Sequence, residues 1–185
     1  MLRHRAETTP DAEVYTFLKG KKGARQRVSF SDLDRRAREI GATLRAQGAA
    51  GERVMLLFAP GYDYVAGFFG CLYAGAVAVP AYPPDPSRLS ASLERLRPIL
   101  RDSGAKFALS TTQIRMYGAV RFRKIEELRR LKWIAVNSPL PSFSGPWQDP
   151  GTTAASLAFL QYTSGSTGDP QGRDGQPRQS HAQPR

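Results

Sequence analysis

Residues 53–84 read Arg53-Val-Met-Leu-Leu-Phe-Ala-Pro-Gly-Tyr-Asp-Tyr-Val-Ala-Gly-Phe-Phe-Gly-Cys-Leu-Tyr-Ala-Gly-Ala-Val-Ala-Val-Pro-Ala-Tyr-Pro-Pro84. Arg53 to Phe58 is apolar at every position after the first, the pattern of a strand buried on both faces of a sheet. Pro60-Gly61 turns the chain. Residues 62–74 predict an almost wholly apolar helix carrying Val65, Phe68, Phe69 and Leu72. Gly67, Gly70 and Gly75 lower its helix propensity but permit close packing. Ala76 to Val79 is a second short buried strand. It runs into Ala81-Tyr-Pro-Pro-Asp-Pro86, which cannot be regular because proline fixes the backbone and removes donors.

Outward from this strand–helix–strand unit the alternation continues. Glu13 to Leu18 and Arg25 to Phe30 predict two short strands around a Lys-Gly-Lys-Lys-Gly turn. Ser31 is expected to cap a helix, with Asp34 as its capping-box partner. Leu33, Ala37, Ile40 and Leu44 share one face of that helix, and Gly48 can end it. A second amphipathic helix is predicted over 88–102, with Leu89, Leu93, Leu96 and Leu100 on one face and Gly104 as its stop. Lys106 to Ser110 is a strand, followed by a short helix near 124–131 and a strand from Lys132 to Val136. Residues 137–152 are a Pro-, Ser- and Gly-rich loop, and Leu157 to Tyr162 is the last strand. Strands alternating with helices predict an α/β fold with a parallel sheet covered on both faces. Ligands of such sheets bind beyond the carboxyl ends of the strands.

The 185 residues are 41% hydrophobic and 23% charged, a globular balance with enough apolar material for a core. One cysteine, Cys71, excludes an internal disulfide and a cysteine-built zinc site. His4 and His181 lie at opposite ends, which argues against a histidine metal cage. No apolar run approaches a bilayer span and no apolar signal segment follows Met1, so a soluble, cytoplasmic protein is expected. The net charge of +11 comes from 27 Lys and Arg against 16 Asp and Glu. Its runs are short, Lys21-Lys22 and Arg121-Phe-Arg-Lys124, and are read as solvated faces. A basic, noncatalytic nucleic-acid-binding domain is the alternative of another class. It would show steep salt dependence, and the lack of a basic stripe with interleaved aromatics weighs against it.

The segment after the last strand, Thr163-Ser-Gly-Ser-Thr-Gly-Asp-Pro170, packs four hydroxyls and two glycines into its first six residues. Glycines let the backbone approach a ligand, successive amides form an anion nest, and hydroxyls add donors to phosphate oxygens. It is not the Walker pattern, which needs Gly-x-x-x-x-Gly-Lys followed by Ser or Thr. Taken alone, such a hexamer is a flexible linker. Its position directly after a buried strand favours phosphate binding.

Phe159-Leu-Gln-Tyr-Thr-Ser-Gly-Ser-Thr-Gly-Asp-Pro170 resembles the phosphate-binding motif of the adenylate-forming, or AMP-binding, enzymes. Gly67 to Pro84, Tyr15-Thr-Phe-Leu18 and Ser31-Asp-Leu-Asp-Arg-Arg-Ala-Arg38 are similar to the fatty acyl-AMP ligase branch. The resemblance covers about residues 5–170. It implies an incomplete N-terminal domain of the adenylate-forming fold. It further implies an ATP- and Mg2+-dependent enzyme that joins a fatty acid to AMP and passes the acyl group to an acyl carrier protein. Carried over by position, Thr163, Ser164, Gly165, Ser166, Thr167 and Gly168 would contact the ATP phosphates. A fragment of a long-chain acyl-CoA synthetase is the alternative enzyme reading, since those branches differ mostly beyond this segment. The parent could be a free-standing ligase or a polyketide or nonribosomal peptide synthetase module.

The resemblance breaks after Pro170. The family continues with Lys-Gly and an apolar strand, whereas this chain has Gln171 and an almost wholly polar run to Arg185. Residues 1–170 are therefore expected to form the incomplete AMP-binding domain, and residues 171–185 a disordered tail unable to supply the next buried strand. A one-base insertion in a cytosine run at Pro170 accounts for the tail. With one cytosine removed, permitted codons read Pro-Lys-Gly-Val-Met-Val-Ser-His-Ala-Asn-Leu. The catalytic lysine and the magnesium-binding acid implied by the resemblance would lie downstream, so no catalytic residue and no metal ligand is assigned here. The chain as written is expected to be inactive.

The remaining candidates have plain readings. Cys71, on an apolar helix with no base beside it, is a buried small hydrophobe and not a nucleophile. His4 is solvated in a frayed terminus. Trp133 and Trp147 are packing residues. Tyr82-Pro-Pro84 is read as a turn, with the border of an acyl tunnel as the alternative. No pair of carboxylates is placed for general acid–base work.

Overall fold

The architecture is a computed structural model that describes residues 1–19, 24–122, 125–140 and 147–163, together with the main chain of 171–174. Its centre is β3 (Arg53–Leu57), whose last four residues are wholly buried. Side chains alternate across a strand, so Val54 and Leu56 enter one apolar cluster and Met55 and Leu57 the other. β4 (Val77–Ala81) and β5 (Phe107–Ser110) flank β3, and β6 (Lys132–Ala135) follows β5. All four run parallel in the order β4-β3-β5-β6. Beyond β4 lies β7 (Leu160–Thr163). Just before it, Ala78 bridges Phe159 in the parallel sense, and the Ala78 N–H donates to the Ala158 carbonyl at 3.1 Å.

Helices cover both faces, as the alternation predicts. On one side α2 (Phe30–Ala46) buries Leu33, Ala37, Ile40 and Leu44, and α3 (Tyr62–Ala74) packs against it. On the other side α4 (Leu89–Ser103) buries Leu93, Leu96 and Leu100. α5 (Thr112–Arg121) and α6 (Glu126–Arg129) complete that layer, with Leu128 buried. Gly75 and Gly104 end α3 and α4 in the left-handed conformation at φ 71° and 58°, which glycine adopts without a Cβ penalty. A hairpin of β1 (Glu13–Lys19) and β2 (Ala24–Ser29) packs Phe17 and buried Val28 against the α2–α3 side. The intervening Gly20–Gly23 turn lies outside the described residues.

Several expectations shift. α2 is capped by Ser29, not Ser31: the Asp32 N–H donates to the Ser29 hydroxyl at 3.2 Å, and that hydroxyl donates to the Asp32 carboxylate. Asp34, expected as the capping partner, is buried. It accepts the Tyr73 hydroxyl at 2.6 Å and pairs with Arg38 at 2.7 Å. The N-terminus is not frayed, because α1 (Leu2–Thr8) buries Leu2, while His4 is exposed as expected. α5 was not anticipated. Its start is fixed by the Asn137 carboxamide oxygen, which accepts the Thr112 N–H at 2.6 Å. The segment after Pro170 was expected to be structureless, yet Gln171–Asp174 forms β8, antiparallel to β7. A two-stranded ladder uses main-chain groups alone, so the lack of apolar side chains does not forbid it. The rest of the expected tail, 175–185, lies outside the described residues.

α2 and α3 approach through glycine. A Cβ on Gly70 would stand 2.4 Å from Ile40 Cγ2 and 2.7 Å from Ile40 Cβ. Gly70→Ala should therefore destabilise the protein by about 1–3 kcal/mol in urea unfolding, despite alanine's better helix propensity. The same substitution in an Ile40→Ala background should cost much less, because the clashing side chain is gone. The cap makes a pH prediction. The Ser29 hydroxyl first, and then Arg35, hold the Asp32 carboxyl below its ordinary value of 3.8. A lowered folded pKa contributes stability above 3.8 that is lost as pH falls through the folded value. Asp32→Asn should be less stable than the parent near neutrality, and the gap should close in acid, as measured by urea unfolding over a pH series.

Candidate functional site

The carboxyl ends of the parallel strands open on a cleft of about 910 Å³. Its walls follow from the topology. Ala59 and Pro60 leave β3, and Ala81 to Pro86 leave β4. Leu96 and Ile99 face in from α4, Ile114 and Tyr117 from α5, and Tyr162 and Thr163 close the side formed by β7. The lining is mostly apolar, as ligand sites at strand ends commonly are.

Tyr82, Pro83 and Pro84 are irregular after β4, as the sequence predicts, and they line the cleft. Tyr82 is 83% exposed at its rim. Asp85 holds the turn in place. Its carboxylate accepts the Ser87 N–H at 2.8 Å and the Ser87 hydroxyl at 2.7 Å, which lowers its pKa. The same Asp85 N–H donates to Ser92 at 3.1 Å, tying the turn to α4.

Of the six phosphate-contact candidates, Thr163 ends β7 and lines the cleft. Ser164, Gly165, Ser166, Thr167 and Gly168 lie outside the described residues. The residue before Thr163 is anchored: the Tyr162 hydroxyl donates to Asp102 at the end of α4. The cleft also holds a residue that the sequence reading passed over. Arg95 lines it from α4, one of four arginines between 88 and 101. The spacing of Ser92, Arg95, Leu96 and Ile99 was the available signal, since those positions fall on one helical face.

Other candidates stay away from chemistry. Cys71 is completely buried, and burial pushes its thiol pKa up. Trp147 packs on Tyr73 with ring centroids 4.8 Å apart, and its indole N–H donates to the Tyr73 carbonyl at 3.0 Å. The guanidinium groups of Arg3 and Arg38 lie over the same ring, at 5.6 and 5.3 Å. Trp133 stacks on Phe122 and donates to the Leu128 carbonyl at 3.0 Å. Many of the cations are engaged locally, in pairs such as Arg35 with Asp32, Arg101 with Glu127 and Lys106 with Glu52. Among the described residues no three His, Cys, Asp or Glu side chains are grouped to hold a metal ion. Nor is any helix among them long and apolar enough to cross a membrane.

The AMP-binding enzyme family matches residues 2–172, nearly the whole chain and both sides of the cleft. The chain belongs to that family. It is 39% identical over 175 residues to the medium-chain-fatty-acid–[acyl-carrier-protein] ligase JamA of Moorena producens, covering 93% of this chain and 29% of that protein. The long-chain-fatty-acid–AMP ligase FadD32 of Mycobacterium marinum is 33% identical, covering 90% of this chain and 27% of that one. A crystal structure of the fatty acyl-adenylate ligase from L. pneumophila, in complex with acyl adenylate and pyrophosphate, superposes with a TM-score of 0.74 at 34% identity. That superposition covers 94% of this chain and 29% of that one. The fold is thus part of the N-terminal domain of an adenylate-forming enzyme, and the chain spans less than a third of these relatives' length.

Burial of Cys71 sets a kinetic expectation. A thiol-reactive disulfide reagent should leave the native chain unmodified and react in step with unfolding as urea is added. Rapid reaction without denaturant would show that the α3 packing is open.

Proposed function

We propose that the chain is the amino-terminal part of a fatty acid–AMP ligase, supplying one wall of the acid site and the start of the ATP-phosphate loop. The observation that carries this reading is Thr163. It ends a strand beside β4 at the cleft beyond the sheet's carboxyl edge, and it opens the Thr163-Ser-Gly-Ser-Thr-Gly168 run. Thr163, Ser164, Gly165, Ser166, Thr167 and Gly168 would hold phosphate oxygens through hydroxyls and main-chain amides. The apolar walls suit an acyl chain and exclude water from the reacting carboxylate. Attack of that carboxylate on the α-phosphorus releases pyrophosphate and leaves the acyl-adenylate, chemistry that rests on positioning and electrostatics. Similarity to JamA and FadD32 supports a fatty acid as the acid, and the former supports an acyl carrier protein as the acceptor. ATP supplies the adenylyl group. The described residues present no grouped donor set for magnesium, so no step is assigned to a metal here.

The chain as written is proposed to be inactive. It has Gln171 where the resemblance leads one to expect lysine, so the loop lacks the cation that would neutralise phosphate charge. An inserted cytosine at Pro170 is the origin we propose for residues 171–185. ATP–pyrophosphate exchange with decanoate should stay at the blank for the purified 185-residue chain, and exchange above the blank would overturn the inactivity. Resequencing from the Tyr162 codon to beyond Arg185 should find a frame that restores Pro-Lys-Gly and an apolar strand. Exchange by that restored protein supports the ligase reading, and its absence with every fatty acid from octanoate to palmitate counts against it.

A further inference from the structure

The cleft is mostly apolar, yet its lining includes Arg95, an exposed residue of α4. Among its described lining residues Arg95 is the only cation, and Asp85, the only carboxylate, is already occupied by Ser87. Arg95 has no recorded ion pair or hydrogen bond among the described residues, whereas Arg101 on the same helix is paired with Glu127. Its placement is set by α4. Ser92, Arg95, Leu96 and Ile99 form a stripe at helical spacing, of which Ser92 binds the Asp85 turn and Leu96 and Ile99 form apolar wall. Seven residues beyond Arg95, about 10 Å along the helix axis, Asp102 holds Tyr162, the residue before Thr163. One helix therefore carries both the anchor of the phosphate-loop strand and the cleft's cation.

We propose that Arg95 is the oxyanion-binding residue of this cleft. Its planar fork can donate to two oxygens of one group, a carboxylate or a phosphate. The apolar stripe beside it takes whatever chain that group carries. This rests on the cleft being the ligand site of the proposed ligase, but it assigns a residue that the phosphate-loop resemblance does not include.

The test is calorimetric titration of the 185-residue chain with decanoate, pyrophosphate and decanol, each at constant ionic strength. Decanoate binding without pyrophosphate binding identifies a carboxylate site, and the reverse a phosphate site. Arg95→Gln should weaken the bound anion at least about tenfold, the usual effect of losing a charged hydrogen-bond partner. Arg95→Lys should fall between, because it keeps the charge and loses the fork. Decanol, which lacks the oxyanion, should bind the parent and Arg95→Gln alike, and Arg97→Gln, outside the cleft lining, should bind every probe as the parent does. Melting curves of the variants verify that each is folded. If Arg95→Gln binds the anions as tightly as the parent, the role of Arg95 is overturned while the cleft stands. If the folded parent binds none of the three probes, the cleft reading and the Arg95 role fall together.

Discussion

β3 has no solvent side, and that constraint organises the molecule. Val54 and Leu56 need a cover on one face, Met55 and Leu57 on the other. Parallel neighbours can be reached only by crossovers long enough to hold a helix, so each crossover both connects strands and covers them. α3, between β3 and β4, has to lie flat against the sheet while α2 lies against α3. The available space is set by Gly41 and Gly70: a Cβ at either would meet Tyr73 or Ile40 within 3.0 Å. The close approach also brings the Tyr73 hydroxyl to Asp34, one of four buried polar residues among those described, so a polar contact locks an interface whose packing is otherwise nondirectional.

With both faces covered by helices, the carboxyl edge is where the sheet can meet a ligand. The cleft is a consequence of that edge rather than a separate construction. Its walls are the exits of β3, β4 and β7, the proline turn after β4 and the inner faces of α4 and α5. Pro83 and Pro84, just past the end of β4, keep its exit from continuing as regular structure. Asp85 and Ser92 then fix that exit to α4 through hydrogen bonds that involve no ligand. The site is built on rigid elements that the core already orders.

The sheet was legible because its signal is periodic. Apolar runs at 53–58 and 76–79 gave β3 and β4 to within a few residues, and helical spacing gave the buried faces of α2 and α4. The capping error shows where pattern runs out. Ser29-Phe-Ser-Asp-Leu-Asp34 contains two overlapping Ser-x-x-Asp pairs, 29 with 32 and 31 with 34. Local chemistry rates them alike. The choice is made by Tyr73 and Arg38, which take Asp34 into the interior and leave Asp32 for the cap. α1 and α5 escaped for a related reason: α1 is held by the burial of Leu2 and by Arg3 against Trp147 and Asp149, and α5 begins at a contact with Asn137, 25 residues away. Arg95 was hidden among Arg88, Arg97 and Arg101, because composition does not say which arginine of a basic helix faces a cleft.

The β7–β8 pair shows how far a strand can be separated from its side chains. Leu160 pairs with Asp174 and Thr163 with Gln171, a ladder that uses only main-chain groups. Any segment of ordinary residues that turns back after Thr163 can satisfy those N–H and C=O groups, whatever its reading frame. A buried strand asks more, because its side chains must fill the space between the sheet and a covering helix. Gln-Gly-Arg-Asp supplies no such apolar set, whereas the frame proposed above would supply Val, Met and Val directly after its Lys-Gly. The presence of β8 is therefore compatible with both origins of the segment. What separates them is burial: Leu160 of β7 already joins the core of Leu93, Leu96 and Leu100 on α4, and only an apolar partner strand would extend that core beyond β7.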